Sequence, residues 1–537
     1  MTTPVPPDPS PVRRRPARVA LIVLAIAALI ASGLARQTAM NHRRSTLDLA
    51  AGAGSGGRAS LSAMNSYALA LLLGGLRGPL VMFLWPSSET QKSERNLEDF
   101  DTKIEWIRLL QAEFDTVHIF QIWNKAYNIS VQMANVGNKY ATILDALDYA
   151  QKVDRERPDN VNILAAIGQI YFDKLGNSAE KKYYKQRLRA ESLPHELRQK
   201  LSREDPGWRR LEHDAVLDAD GNVLPGYLVP GSLRLTDEKS GDTYDGSQYQ
   251  YLRKFGPYPY GLSPYAFGFN YYKRAQLLQE AGKQRHRQLS DLVIDSRPAL
   301  SLKNWAEDEH QQARREEIAA VGSTIPLLPD ETDDLDRPTQ NMPLRQQVTP
   351  EQAARFQAAI FGYDLAMRLI DAAEAEYERH VIRYPTNLQL YRQHRDTLIA
   401  LRWMAQADRD FLKAILAGED SGALRLASAN AYARSIDAYN TMILRFYVSE
   451  QMAGQLFPPG MTRDNVDQAP PGLRQAIVAQ LIAQMQQGEN AEFGEDIAEY
   501  VRYIVRAESR LETLALAGAT PDIAGFVVNP PATQPGR

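Results

Sequence analysis

Residue types capable of chemistry are present in this chain, but their spacing assembles few reaction centres. The eight histidines, at 42, 118, 195, 213, 286, 310, 380 and 394, are scattered and nowhere form H-E-x-x-H or another close metal pattern. No G-x-S-x-G elbow and no P-loop occurs. Cysteine is absent, which removes thiolate nucleophiles, disulfides, iron–sulfur clusters and Cys-based zinc sites together. Carboxylates are many, yet no pair lies in a setting that predicts a shifted pKa. Asp218 and Asp220 suggest calcium, but an EF-hand loop needs more ligands and a closing Glu, so a turn is expected there. "GAGSGG", Gly52 to Gly57, matches G-x-G-x-x-G with no strand before it and is expected to be a flexible linker. No catalytic residue, metal or cofactor is therefore expected. What remains is hydrogen bonding: Asn124 and Asn128, at i and i+4, point together on a helix, and Asn162 follows downstream.

Helices must position these amides. Leu97, Phe100, Ile104, Ile107, Leu110 and Phe114 form one apolar stripe after Pro86. A second helix follows, with Phe120, Trp123, Tyr127 and Val131 expected on one face. Val136-Gly137-Asn138 is expected to turn the chain, and a helix to run from about Lys139 to Glu156. Pro158 with Asp159-Asn160 ends it and starts the next. No such pair buries its own stripe, so the pairs are expected to stack as an array of αα-hairpins.

From Val161, "VNILAAIGQIYFDKLG" resembles the first helix of a tetratricopeptide (TPR) repeat, through Leu164, Ile167, Gly168 and Tyr171. Tyr184 stands where the second helix of such a repeat carries an aromatic. One unit earlier Ala146, Ala150, Val153 and Pro158 hold the small-residue and terminal-proline positions. Ala373, Tyr377 and Pro385 repeat the spacing downstream, and Ala407, Phe411 and Ala414 repeat it again. Gly168 and Ala146 would let helices approach closely, with Tyr171 filling the gap beside them. The resemblance covers two blocks split by a long insertion. It implies a mostly α fold: a TPR-like α-solenoid of antiparallel helix pairs. In that family the first helix of each pair lines a concave face, where asparagines hold a peptide backbone or terminal carboxylate. Asn124, Asn128 and Asn162 are the residues such a role would fall to.

The insertion, 193–262, changes character. "DAVLDADGNVLPGYLVPGS" is expected to form a small β-hairpin with Asp220-Gly221 at the turn. An aromatic segment, Tyr249 to Tyr272, follows, within which Ser263-Pro264 cap a helix ending near Gly282. The segment is expected to pack across the helical array and join its halves; the alternative is an open platform for a peptide or glycan. "KKYYKQRLR", Lys181 to Arg189, is expected to be a solvated helix face, the alternative being a phosphate contact. A charged helix over about 300–320, a Pro/Asp-rich linker 321–350, helices through 351–516 and a Pro-rich tail 517–537 complete the chain.

The N-terminus adds a membrane question. Arg13, Arg14, Arg15 and Arg18 precede Val19 to Ala35, 17 uncharged residues that are expected to be a transmembrane anchor. A cleavage site at Gly33-Leu34-Ala35 would make them a signal peptide instead. After a basic tail (1–18), the anchor (19–35) and a linker (36–65) comes a second apolar stretch at 66–86. Its nine Leu, Val and Phe residues favour insertion by roughly 3–5 kcal/mol, and Arg77 costs about 2.5–3.5 kcal/mol, with three Gly and a Pro adding more. The sum is near zero, so a broken helix capping the first repeats (87–192) is expected rather than a second span, with Arg77 paired at the domain–membrane boundary. Net charge is −3, which gives no electrostatic footprint for nucleic acid. Together these features predict a non-enzymatic, membrane-anchored scaffold for a protein or peptide partner on the outer side of a bacterial cell membrane. A membrane-tethered enzyme acting on envelope glycans or peptides through the Tyr-rich segment is the alternative.

Overall fold

The structure, a computed structural model, describes residues 115–198, 216–283, 290–321, 348–486 and 495–528, together with the single position 84. The expected anchor (19–35), the linker with its Gly run, Arg77 and the stripe from Leu97 to Phe114 lie outside the described residues, as does 322–347 of the expected linker. The chain divides into two compact units, Met1–Ile122 and Trp123–Arg537. Among the described residues no helix is long and apolar enough to cross a membrane.

The fold is mostly α, with many helices packed against one another and one tiny sheet. α1 (Asp115–Trp123) continues into a π-helical segment, π1 (Asn124–Ile129), and a last turn, α2 (Ser130–Gln132). The chain then turns at 133–135, so Val136-Gly137-Asn138 opens α3 (Val136–Glu156) rather than forming the turn. The cap is Asn135, whose side chain accepts from the Asn138 amide at 2.7 Å. After Pro158, Asp159 takes a positive φ of 61°, and Asn160 caps α4 (Val161–Gln169) by accepting from the amides of Asn162 and Ile163. α4 runs straight into a second π segment, π2 (Ile170–Leu175), and α5 (Lys181–Ser192) follows.

The insertion holds a turn where one is expected: Asp218 accepts from the amides of Asp220 and Asn222, and Gly221 has φ +80°. Its pairing is a single bridge, Leu217 to Val223. The two-stranded sheet lies further on, β1 (Leu235–Thr236) antiparallel to β2 (Thr243–Tyr244). Asp159 ties this region to the α3–α4 turn, accepting from the Leu233 amide (2.7 Å) and the Tyr244 hydroxyl (2.9 Å).

α6 (Pro264–Glu280), capped by Ser263, is the hub: every residue from Pro264 to Gln279 is buried. A helix buried all round needs neighbours on all sides, and α6 packs on α4 and π2 at one face and on α7 (Asp291–Ala320) at another. Gly168 marks the first contact. A Cβ there would sit 3.1 Å from the Tyr272 ring, so the glycine admits an aromatic of α6 rather than the Ala146 helix. Tyr171 stacks on Phe267 (4.8 Å between centroids) and Tyr271 (6.0 Å). Ala146 and Tyr171 are themselves buried.

Beyond α7 the helices lengthen. α8 (Pro350–Arg383, 34 residues) starts with a Thr349/Gln352 capping box, α9 (Leu388–Ala417, 30 residues) ends at Gly418 with φ +66°, and α10 (Gly422–Met442) runs into π3 (Ile443–Tyr447). α11 (Glu450–Leu456), α12 (Pro471–Gln486) and α13 (Glu495–Leu516) close the array. Each helix from α7 to α10 packs on the next, and α13 returns onto α10. Ala373 and Tyr377 are buried in α8, Pro385 follows its end, and Ala407, Phe411 and Ala414 are buried in α9. A 34-residue TPR unit holds two helices and a turn, whereas here the spacing spans one long helix and a turn.

Two patterns differ from expectation. Trp123 and Val131 are 41 % and 60 % exposed, and α1–α2 bury Val117, Ile122, Ala126 and Ser130 instead. Between them the helix widens to π geometry over Asn124–Ile129, so the 3.6-residue spacing read from the sequence does not hold there. The helix Lys181–Arg189 is not a solvated face. Arg187 pairs with Glu191 (3.0 Å), and Arg189 with Asp308 (2.6 Å) and Glu309 (2.8 Å), all buried, while only Lys181 and Lys182 stay in solvent. The charged helix likewise starts at Asp291 and turns Asp308, Glu309, His310, Arg314 and Glu317 inward.

Candidate functional site

The expected asparagine pair lies on π1, which touches π2. Asn128 Nδ2 donates to Asn124 Oδ1 at 2.9 Å; Asn124 is buried and Asn128 exposed. The pair thus forms a polar ledge, one end fixed in the fold and the other presented to solvent. Trp123 and Val131, before and after the pair in sequence, are exposed, and Trp123 packs on Tyr127 at 5.6 Å. Asn162 sits in the first turn of α4, buried, eight residues before π2 begins. At 1.5 Å per residue it stands roughly 12 Å along the axis from π2, so it shares the helix but not the ledge.

Facing Tyr127 across the seam is Lys174, from π2. Its ammonium lies 5.7 Å from the Tyr127 ring centroid, a cation–π contact, and the residue is only 8 % exposed. Among the described residues no carboxylate lies within ion-pair distance of it. Burial lowers the Lys174 pKa, with Glu180 opposing from further off. Glu180 itself is committed to Lys139 at 2.7 Å. The stem is buried while the ammonium has no counter-ion among the described residues, and this marks where an anionic group would be welcomed.

The rest of the seam is also charged and aromatic. Asp173 has its carboxyl raised by burial, against the pull of Arg297 on α7, 3.7 Å away. Arg297 lies over the rings of Phe172 (5.0 Å) and Tyr272 (5.8 Å). Burial and then Asp173 push the Tyr127 phenol well up, so it remains a neutral hydroxyl, donating at a long 3.5 Å to the Gln169 carbonyl. Two cations, Lys174 and Arg297, thus join the asparagine ledge from distant elements. Spacing within α1–π1 held no trace of them; the "FDKL" run and Arg297 were the residues to find.

The Tyr-rich segment offers no open platform. Tyr258 and Tyr265 are buried, and Tyr258 stacks on Trp305 at 5.9 Å. Tyr260 is half-buried with its hydroxyl enclosed, near Glu309, whose carboxyl is raised by burial against the charge of Arg189. Asp218 is occupied as a turn former, and no group of three or more His, Cys, Asp or Glu placed to hold a metal occurs among the described residues. His380 and His310 are fixed by single carboxylates, Asp295 (2.8 Å) and Asp408 (3.0 Å). Compared with known proteins, the chain matches no family model, no curated protein and no solved structure.

Proposed function

We propose that this chain is a non-enzymatic helical scaffold that binds a protein partner through the π1–π2 seam. The Asn124–Asn128 ledge would hold an extended backbone, Trp123 and Val131 a neighbouring apolar side chain, and Lys174 a carboxylate. The long helices of the second half, of helical-repeat type and TPR-like in spacing, would serve as the rigid mount. The segment 19–35 would tether the assembly to a bacterial cell membrane with the helices outside.

The observation that carries the reading is Lys174: buried, unpaired and adjacent to the ledge. Selection of a peptide library with free C-termini on the full chain tests it. Enriched peptides are expected to lose about tenfold or more in affinity for Lys174→Met, a change worth about 1.4 kcal/mol or more. Equal binding by wild type and K174M, with both folded, would dismiss the seam as the site.

A further inference from the structure

The hairpin end between α8 and α9 shows apolar side chains to solvent. α8 ends at Arg383, a single turn of 3-10 helix spans Pro385–Asn387, and α9 starts at Leu388. Ile382, in the last turn of α8, is 74 % exposed; Leu388 and Leu390, in the first turn of α9, are 41 % and 51 % exposed. All three therefore lie within one helical turn, about 5 Å, of the connection. Tyr384 and Tyr391 at the same end are half-buried, against His380 (5.2 Å) and Tyr377 (6.0 Å). Single exposed aliphatics are ordinary, but no other span as short as 382–390 among the described residues holds three large ones.

The charge of the tip has one sign. From Arg379 to Arg395 the chain carries four arginines and no Asp or Glu. Arg379 is turned inward on Asp237 and Glu280, and Arg383 reaches back to Asp295 (2.8 Å) and Glu280 (3.1 Å). Arg392 and Arg395 are exposed, and neither has an ion-pair partner among the described residues. Acids resume on α8 at Glu378, one turn behind Ile382, and on α9 at Asp396. What the hairpin end offers to solvent is thus aliphatic at the connection and cationic beside it. An exposed apolar patch with a charged rim marks an interaction surface.

We propose that the α8–α9 tip dips into the interface of an anionic phospholipid bilayer. Charge complementarity carries the choice of occupant: the interface is apolar at the acyl boundary and negative at the phosphates. Ile382, Leu388 and Leu390 would enter the first layer while Arg392 and Arg395 lay their stems along it and bond phosphates from above. Tyrosine is itself suited to headgroup depth. An acidic protein would attract the same arginines, but it would need a preformed concave site for a projecting helix end, whereas a fluid bilayer yields to one. The inference goes beyond the peptide reading, and peptide binding at the π1–π2 seam enters none of its outcomes.

The test uses the full chain with vesicles of phosphatidylcholine, alone or mixed with phosphatidylglycerol. Cysteine is absent, so Leu390→Cys carries a nitroxide at one position only, and collision with a water-soluble nickel chelate reads its exposure. Leu516→Cys is the control. Leu516 is 81 % exposed on α13, whose Arg510 covers the ring of Phe411, about 35 Å along α9 from Leu388. Nickel collisions at Leu390 are expected to fall about fivefold or more in the anionic vesicles relative to the neutral ones, and those at Leu516 to stay unchanged. Arg392→Gln with Arg395→Gln changes two exposed positions and should abolish the fall while leaving the urea midpoint where it is. Equal collisions in both lipids overturn the proposal, as does a fall that survives the double variant, or one as large at Leu516. Protection of Leu390 that grows with protein concentration in the absence of lipid also overturns it, and makes the tip a contact between copies of the chain.

Discussion

Both halves of the described fold bury matched ions, but the first also buries a lysine that has none. In the long-helix half each buried ion has its counterpart. Asp408 of α9 accepts from Arg506 (2.7 Å), His310 (3.0 Å) and Tyr432 (2.5 Å), and so joins α7, α9, α10 and α13. Glu317 accepts from Arg314 (2.7 Å), Arg510 and Tyr363 (3.0 Å), adding α8. Burial alone would raise both carboxyls, but the arginines and the hydrogen bonds hold them well below the usual range. In the first half Arg274 meets Asp154 (3.3 Å) and Arg187 meets Glu191 (3.0 Å) beside the aromatic stacking around α6, but Lys174 has no carboxylate of the described residues within ion-pair distance. A matched buried ion fixes helices; an unmatched one waits for a ligand. Such ions differ in what their removal does.

The widest gap is expected between Asp408→Asn and Lys174→Met. The first strands Arg506 in the core and should cost about 3–5 kcal/mol in urea unfolding. The second removes an uncompensated charge and should be neutral or stabilising by about 1 kcal/mol, while abolishing anion binding. Equal losses in the two variants would erase the distinction between the halves.

Packing in the first half should be less forgiving of volume than of charge. Gly168→Ala forces its Cβ against Tyr272 and is expected to cost about 1–3 kcal/mol by calorimetry. Relief of that loss by Tyr272→Leu in the same chain would show that the aromatic of α6 sets the spacing. A loss of the same size in the double variant would show that it does not.

Protonation sharpens the contrast at the other end. His394 is held down to about 4, and burial lowers His310 as well, Asp408 opposing. A histidine depressed on folding stabilises above its unfolded value near 6.5, and that contribution is lost as pH falls towards 4. For His394 the loss is up to roughly 3 kcal/mol. The unfolding free energy of His394→Phe should therefore fall less steeply than wild type between pH 6.5 and 4; parallel curves would show that the ring is not buried neutral. The smallest effect on stability, under about 0.5 kcal/mol, is expected for exposed Asn128→Ala, seen only as weaker peptide binding.

Much of the helical layout was legible from local signals. Ser263-Pro264 and Gly282 bracket α6, Asn160 starts α4, and the helices expected through 351–516 include α8 to α13. These are decided by caps and turns a few residues wide. The π segments were not legible, because an extra residue in one turn leaves composition unchanged while breaking the 3.6-residue spacing the reading relied on. Nor was the inward turn of Arg189, whose partner Asp308 lies 119 residues away. The asparagine pair was visible as an i, i+4 spacing; Lys174 and Arg297 reach its neighbourhood only through the packing of π2 and α7.

The account rests on Lys174 awaiting a carboxylate. The direct measurement is calorimetry of one selected peptide, as free acid and as C-terminal amide, against wild type and K174M. The account predicts that amidation weakens binding to wild type by about tenfold or more and leaves binding to K174M unchanged. If acid and amide bind wild type equally, Lys174 is a structural residue and the seam is not a carboxylate site.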